Sequence, residues 1–496
     1  MIFTSLKFAV FFIAVLLIYF IFPAKWRYLW LLAASYIFYA AFSVKYLFIL
    51  FFSTIITYGT GIFLDKGKSL SIFPKKVLLS LGIILDLLPL LYSKYINFTI
   101  GNINSIKRMI GLKTMIPTRS IILPIGISFF TFVSLSYIID IYRNKIKPEK
   151  NLAKYALFIS FFPCISSGPI ERANSLLVQI NELDRKKVFN SHNILSGGSK
   201  FLCGLFIKLV LTDRISIFCD EVFSNYSLYG STFLIIGSIL FGIQVYGDFY
   251  SYSTMALGCA QILGIDVTDN FNAPYLTYSI SDYWRNWHIS LMNWFRDYIY
   301  IPLGGNRCSK QRKYLNIMIT FLVSGFWHGA GWHFIVWGGI HGFYQIIEAE
   351  LKPVLQKICR KTNAKVNSFS YKLMKIVVNN ILIDLAFIFF KVTKLRYAFV
   401  YIKRLFSCPD PWNVLNGSIY ELGIDRAGWK IVWLSLAFLL LLDLLKKCRK
   451  MYLYEWLETQ CVWFRWLFYI GIILSIFVFG IYGPEFNPSS FIYFTF

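Results

Sequence analysis

Apolar residues along this chain fall into long blocks, near 7–22, 26–43, 46–64, 76–93, 121–141, 153–167, 198–215, 230–263, 314–349, 371–391, 429–447 and 464–484. Short polar connectors separate them. A helix rises about 1.5 Å per residue, so about twenty apolar residues cross the roughly 30 Å hydrocarbon layer of a bilayer. The blocks therefore predict about ten to twelve crossings, some runs being broken and the longest having room for two. Lipid offers no partner for an exposed sheet edge, so the spanning elements are expected to be helices. The pattern predicts an all-α, multi-pass integral membrane protein with re-entrant or broken segments.

The blocks are not alike. Residues 1–114 read as a framework of plain apolar helices with aromatic ends. Asp86, in LGIILDLLPLL, is the exception: a carboxylate at membrane depth is either functional or the partner of Lys94 two turns on. Between 115 and 350 the runs are repeatedly interrupted. LPIGISFFTF (123–132), FFPCISSGPIER (161–172) and YGDFYSYS (246–253) place Pro, Gly, Ser or Asp where a simple spanning helix would carry Leu. Irregular backbone at membrane depth survives only where protein buries it or it lines a watery cavity, so 115–350 is the expected catalytic core. Residues 351–496 return to a basic connector, ordinary spans and the tail FIYFTF. Without repeats or a pooled Pro/Gly linker, 1–496 reads as a single membrane domain.

Composition closes off the soluble classes. Only 15% of residues are charged and 57% are hydrophobic, against about a quarter charged in soluble chains. The net charge is +25, which in a soluble protein would suggest nucleic acid. Here the positives sit in short connectors such as DKGKSLSIFPKK (65–76), RNKIKPEKNLAK (143–154), NRCSKQRKY (306–314) and KKCRK (446–450). That placement fits the positive-inside rule and anionic lipid headgroups, and no nucleic-acid partner is expected. If Lys25, Arg27 and the 65–76 loop are cytoplasmic, the N-terminus lies outside. The first apolar run lacks a small-residue cleavage site and is expected to be a retained helix. Nine cysteines are scattered singly with no C-x-x-C pair, which predicts packed thiols rather than zinc or a disulfide framework.

Candidate chemistry centres on histidine. Three of the five histidines lie in GFWHGAGWHFIVWGGIHG (325–342). On one continuous helix His328 and His333 would point about 140° apart, and His341 would lie roughly 20 Å from His328. That is not the i, i+4 spacing of a zinc helix, so no metal site is expected. There is no G-x-S-x-G and no cysteine in a nucleophile setting. What remains is an imidazole acting as general base or acid, which suits acyl transfer from a thioester to an alcohol. Upstream, SISDYWRNWHISLMNWFRDYIYIPLGGNR (279–307) is too polar to span yet dense in aromatics. Trp284, Trp287, Leu291, Trp294 and Phe295 fall at helical spacing, interleaved with Arg285, Asn293, Arg296 and Asp297. An interfacial helix with snorkelling arginines explains that pattern but not His288. His328 and His288 stand out as candidates; His333 and His192 read as structural.

These residues carry a resemblance. SDYWRNWHISLMNWFRDYIYIPLGGNR followed by SGFWHGAGWHFIVWGGIHG closely resembles the membrane-bound O-acyltransferase family, in particular its bacterial alginate and peptidoglycan O-acetyltransferase branch. LPIGISFFTFVSLSYIIDIYR (123–143), FFPCISSGPIER, QVYGDFYSYSTMALG (244–258) and FIYFTF look like the same branch. The resemblance implies His328, of W-H-G, as the catalytic histidine, with His288, of W-H-I-S, as the second. His341 matches a recurring histidine of W-G-x-x-H-G. Trp284, Arg285, Arg296, Asp297, Asn306, Asp248, Trp327 and His341 become candidate substrate-binding residues, with Trp284, Arg285 and Arg296 at a cytoplasmic donor entrance. The chain departs from the branch at 246–254, where Gly247, Tyr250, Ser251 and Thr254 replace its Phe, Ser, Gly and second Asp, leaving Asp248 in place.

The implied fold surrounds a central pore, and the implied setting is the bacterial inner membrane. The implied donor is acyl-CoA or an acyl-carrier protein, with no bound cofactor. The acceptor would be a cell-envelope polysaccharide, reached through a separate extracytoplasmic acyltransferase or acceptor-handling partner. A teichoic-acid D-alanyl transferase and, from another class, a lipid-linked sugar transporter or flippase remain alternatives.

Overall fold

The computed structural model describes residues 1–66, 74–185, 189–407 and 409–482; the FIYFTF tail and the middle of the 65–76 loop lie outside them. Among the described residues the chain is helical throughout, and its one β feature is an isolated antiparallel bridge between Phe271 and Trp287. Among the described residues six helices are long and apolar enough to cross a membrane: Val44–Asp65, Lys75–Met109, Ser231–Ile262, Phe369–Lys391, Arg426–Arg449 and Val462–Phe479. Two shorter apolar helices, Leu6–Ile21 and Ile127–Tyr142, accompany them. The outward faces confirm the solvent for which they are built. Along Val462–Phe479, Trp463, Leu467, Leu474 and Phe477 are exposed, while Ile472 and Ile476 pack inward. Apolar faces of that extent belong in lipid.

Other apolar runs give shorter or interrupted helices. The run at 26–43 yields only the 14-residue helix Arg27–Ala40. The run at 153–167 breaks at Phe161 into Leu152–Ser160 and the single turn Phe162–Ile165. The run at 198–215 passes into a π-helical stretch, Ile207–Thr212, that buries Lys208. The run at 314–349 is a hairpin of two helices, Lys310–His328 and Trp332–Lys361.

The chain divides into two compact units, Met1–Gly198 with Ala256–Thr268, and Ser199–Met255 with Asp269–Phe496. In the first, Asp86 is held by the hydroxyls of Ser53 at 2.5 Å and Ser134 at 2.6 Å, so its partners are serines of two neighbouring helices and not Lys94. Two interruptions expected from sequence meet each other there. Gly126 caps the Ile127–Tyr142 helix at φ +74°, and a Cβ on it would lie 2.0 Å from the carbonyl oxygen of Ile165, in the broken 161–172 stretch. The third interruption is absent. Residues 246–253 run unbroken through the Ser231–Ile262 helix, because Asp248 does not need to leave it: Asp248 pairs with buried Lys208, which also holds Asp213 at 2.8 Å.

Candidate active site

The rings that form the site all belong to the second unit. GFWHGAGWHFIVWGGIHG forms the turn of the hairpin: the first arm ends at His328 and the second begins at Trp332. Its glycines set the distance between the arms. A Cβ on Gly325 would stand 2.2 Å from the Phe334 carbonyl oxygen, and one on Gly338 would stand 2.2 Å from that of Phe321. Backbone cannot yield as a side-chain tip can, so only glycine lets the two helices touch this closely. At the open end Lys310 pairs with Glu350 at 2.6 Å, and the Tyr314 hydroxyl donates to the same carboxylate at 2.5 Å. The hairpin changes the histidine geometry expected from one continuous helix. His328 and His341 are not about 20 Å apart along one axis, because each packs against Trp337, with ring centroids at 5.0 and 4.9 Å.

His288 is placed differently. The expected single helix over 284–295 is two short ones, Ile280–Asn286 and Ile289–Phe295, with the chain pinched between them. Trp287 bridges Phe271, and His288 sits in the left-handed region at φ +44°. Asn270 clamps the far side. Its carbonyl accepts from Ile289 N at 3.0 Å, and its side-chain oxygen accepts from the Ser290 hydroxyl at 2.7 Å and Ser290 N at 3.3 Å. A non-glycine residue in this region costs energy that its surroundings must offset, a pattern concentrated at functional sites. The aromatic face of 284–295 is buried in protein: Trp284, Trp287, Leu291, Trp294 and Phe295 are all covered.

Hairpin and pinch meet in a row of alternating imidazoles and indoles. Ring centroids lie 6.1 Å apart for His288 and Trp327, 4.9 Å for Trp327 and His328, and 5.0 Å for His328 and Trp337. The row continues through His341 to Trp284 at 4.8 Å, and Phe249 closes on His288 at 4.4 Å. The imidazoles of His288, His328 and His341 are all buried. Trp284 Nε1 donates to His341 Nδ1 at 3.3 Å. An accepting Nδ1 leaves the proton of a neutral ring on Nε2. That Nε2 and the indole Nε1 of Trp337, both buried, have no hydrogen-bond partner among the described residues. Such donors cost about 1–3 kcal/mol each when left unmade, and an oxygen entering the row would satisfy them.

The structure thus gathers His288, His328, His341, Trp284 and Trp327. Other candidates sit apart, with local partners. Arg285 is 77% exposed and pairs with Asp282 at 3.1 Å; Arg296 is 56% exposed and pairs with Asp297 at 2.9 Å. Asn306 is exposed and accepts from the Tyr300 hydroxyl at 2.7 Å. Asp248 is tied to Lys208, one residue from Phe249. His333 Nδ1 meets the Phe389 carbonyl at 3.2 Å, and His192 is exposed. Among the described residues no group of three or more His, Cys, Asp or Glu side chains is disposed to hold a metal. Sequence reasoning missed Trp337 and Asn270. Trp337 stood in view in W-G-x-x-H-G, whereas nothing in TDNFNAPY marks Asn270.

The family model for the membrane-bound O-acyltransferase family matches residues 144–401, a span that holds both pinch and hairpin. The chain belongs to the membrane-bound O-acyltransferase family. It is 37% identical over 354 residues to the Azotobacter vinelandii protein named "Probable alginate O-acetylase AlgI", covering 71% of this chain and 69% of that one. It is 33% identical over 404 residues to the peptidoglycan O-acetyltransferase of Helicobacter pylori, covering 76% and 73%. A teichoic acid D-alanyltransferase of Streptococcus thermophilus is 30% identical over 245 residues, covering 46% and 58%. As a membrane-bound O-acyltransferase the protein is a membrane enzyme that transfers acyl groups.

Proposed function

We propose that this enzyme moves an acetyl group from a cytoplasmic thioester, on CoA or a carrier protein, toward hydroxyls of an extracytoplasmic envelope polysaccharide. It would do so in the bacterial inner membrane, with a separate extracytoplasmic transferase completing delivery. The observation that carries the reading is the buried ring row, in which two imidazoles flank one indole.

His328 acts as the base. It takes the acceptor's hydroxyl proton as the oxygen attacks the thioester carbonyl; the C–S bond breaks, and the proton passes to the departing sulfur to give a thiol. His288, across Trp327, positions or shares that proton. The N–H groups of Trp337 and His341 are suited to the carbonyl oxygen as negative charge develops on it. The relatives' names support acetyl and a glycan acceptor, since the O-acetyltransferases cover more of the chain than the D-alanyltransferase does.

His328→Ala is expected to leave protein abundance unchanged while abolishing the envelope ester. Mass spectrometry of hydrolysed envelope identifies the ester as acetyl or alanyl. Full retention of acylation in His328→Ala cells sinks the assignment. Thioester turnover by the purified protein separates it from a transporter.

A further inference from the structure

KKCRK (446–450), which the sequence suggests as a lipid-facing connector, is turned onto the protein. Lys446 Nζ pairs with Asp269 at 2.5 Å and donates to the Phe271 carbonyl, and Lys447 Nζ donates to the Leu276 carbonyl. Both ammonium groups are thereby fixed on the segment that also pins the pinch. Phe271 bridges Trp287, and Asn272 N donates to the Asn286 carbonyl at 3.0 Å, two residues before His288. Lys450, at φ +54°, is exposed, and its ammonium makes no ion pair among the described residues. Together with Tyr452 and the amides of Asn272 and Asn286, the three lysines line an open cavity of about 320 Å³. A fourth, Lys200, stacks over the Tyr452 ring at 4.1 Å. Against these cations stand the carboxylates of Asp269, on Lys446, of Asp282 and Asp443, which act on Lys447, and of Glu455, which accepts from Tyr452 N.

A concave site of this size takes a small-molecule group. Clustered ammonium groups, of which that of Lys450 makes no ion pair among the described residues, beside neutral amides are the chemistry that holds phosphate oxygens. Lysines that only met headgroups at a helix end would be free to snorkel outward; two of these are instead anchored by carbonyls one step from the catalytic segment. We propose that this cavity binds an organic phosphate, carried either on the pantetheine arm of the thioester donor or on a phospholipid headgroup. Lys446 to Tyr452 lie outside the span matched by the family model, whereas Asn272 and Asn286 lie within it. The donor source rests on the acyl-transfer function above; the phosphate chemistry does not.

The test uses the full-length protein in nanodiscs of zwitterionic lipid. Calorimetry measures its affinity for coenzyme A and for pantetheine lacking phosphate. A separate arm titrates short-chain phosphatidylglycerol into the detergent-solubilised protein. Lys450→Gln and Lys447→Gln each remove one charge, and the exposure of Lys450 keeps its variant folded. Each is expected to weaken phosphate-ligand binding by about tenfold, the size of one charge-assisted contact, and pantetheine is expected not to bind. Weakening for coenzyme A alone names the donor as the source; weakening for phosphatidylglycerol alone names the lipid. Unchanged affinity for both ligands in both variants overturns the site. The same titrations on His328→Ala protein distinguish the two readings: full binding without turnover keeps the site, and full turnover without loss of the site discards only the base.

Discussion

The hairpin holds His328 by packing, and the pinch holds His288 by hydrogen bonds. At the hairpin, glycines bring two helices into backbone contact, so the position of His328 follows from steric limits at Gly325 and Gly338. At the pinch the backbone path is set by hydrogen bonds. A bridge at Trp287 and the three bonds to Asn270 stop a helix from forming through a residue that helical spacing would otherwise include. A position set by packing should resist the loss of a polar group and fail on added volume. A position set by hydrogen bonds should do the reverse.

The largest effect should come from the ring itself: His328→Ala lowers thioester turnover by about 10²–10⁴-fold, the range of a lost general base, in an assay on purified protein. Gly338→Ala tests the packing device. It is expected to cost about 1–3 kcal/mol, seen as a lower unfolding temperature in detergent. Asn270→Ala tests the other device, at about 1–2 kcal/mol for lost side-chain bonds to Ser290, with turnover falling more than the unfolding temperature. Equal sensitivity of both sites to volume would erase the contrast. The smallest effect belongs to Gly339→Ala, where a Cβ would meet only Leu322 Cδ2 at 3.5 Å; its stability should stay within about 0.5 kcal/mol of the parent.

What was legible in the sequence follows the same division. Apolar length announced helices and a membrane, and W-H-G with W-H-I-S announced the two central histidines. The glycines of the hairpin stand in plain sight in GFWHGAGWHFIVWGGIHG, but only the fold shows that they bring its two helices into backbone contact. Helical spacing misled twice, because periodicity reports which residues are buried and not whether the chain between them is continuous. Trp284 and Leu291 share a buried face across a break at 287–288. His328 and His341 share an indole across a turn at 329–331. YGDFYSYS failed in the opposite sense. A buried carboxylate reads as a break only while its partner is unseen, and Lys208 is forty residues away.

The left-handed backbone at His288 bears on how any substitution there is interpreted. Alanine removes the imidazole but keeps a Cβ in a conformation it rarely adopts; glycine removes both the ring and the strain; asparagine tolerates the conformation and keeps a polar group. Loss of activity in His288→Ala alone therefore mixes two causes. If all three variants lose turnover equally while stability ranks glycine at or above asparagine and asparagine above alanine, the ring is the functional element. If glycine alone restores turnover, the residue's contribution lies in the bend of the chain.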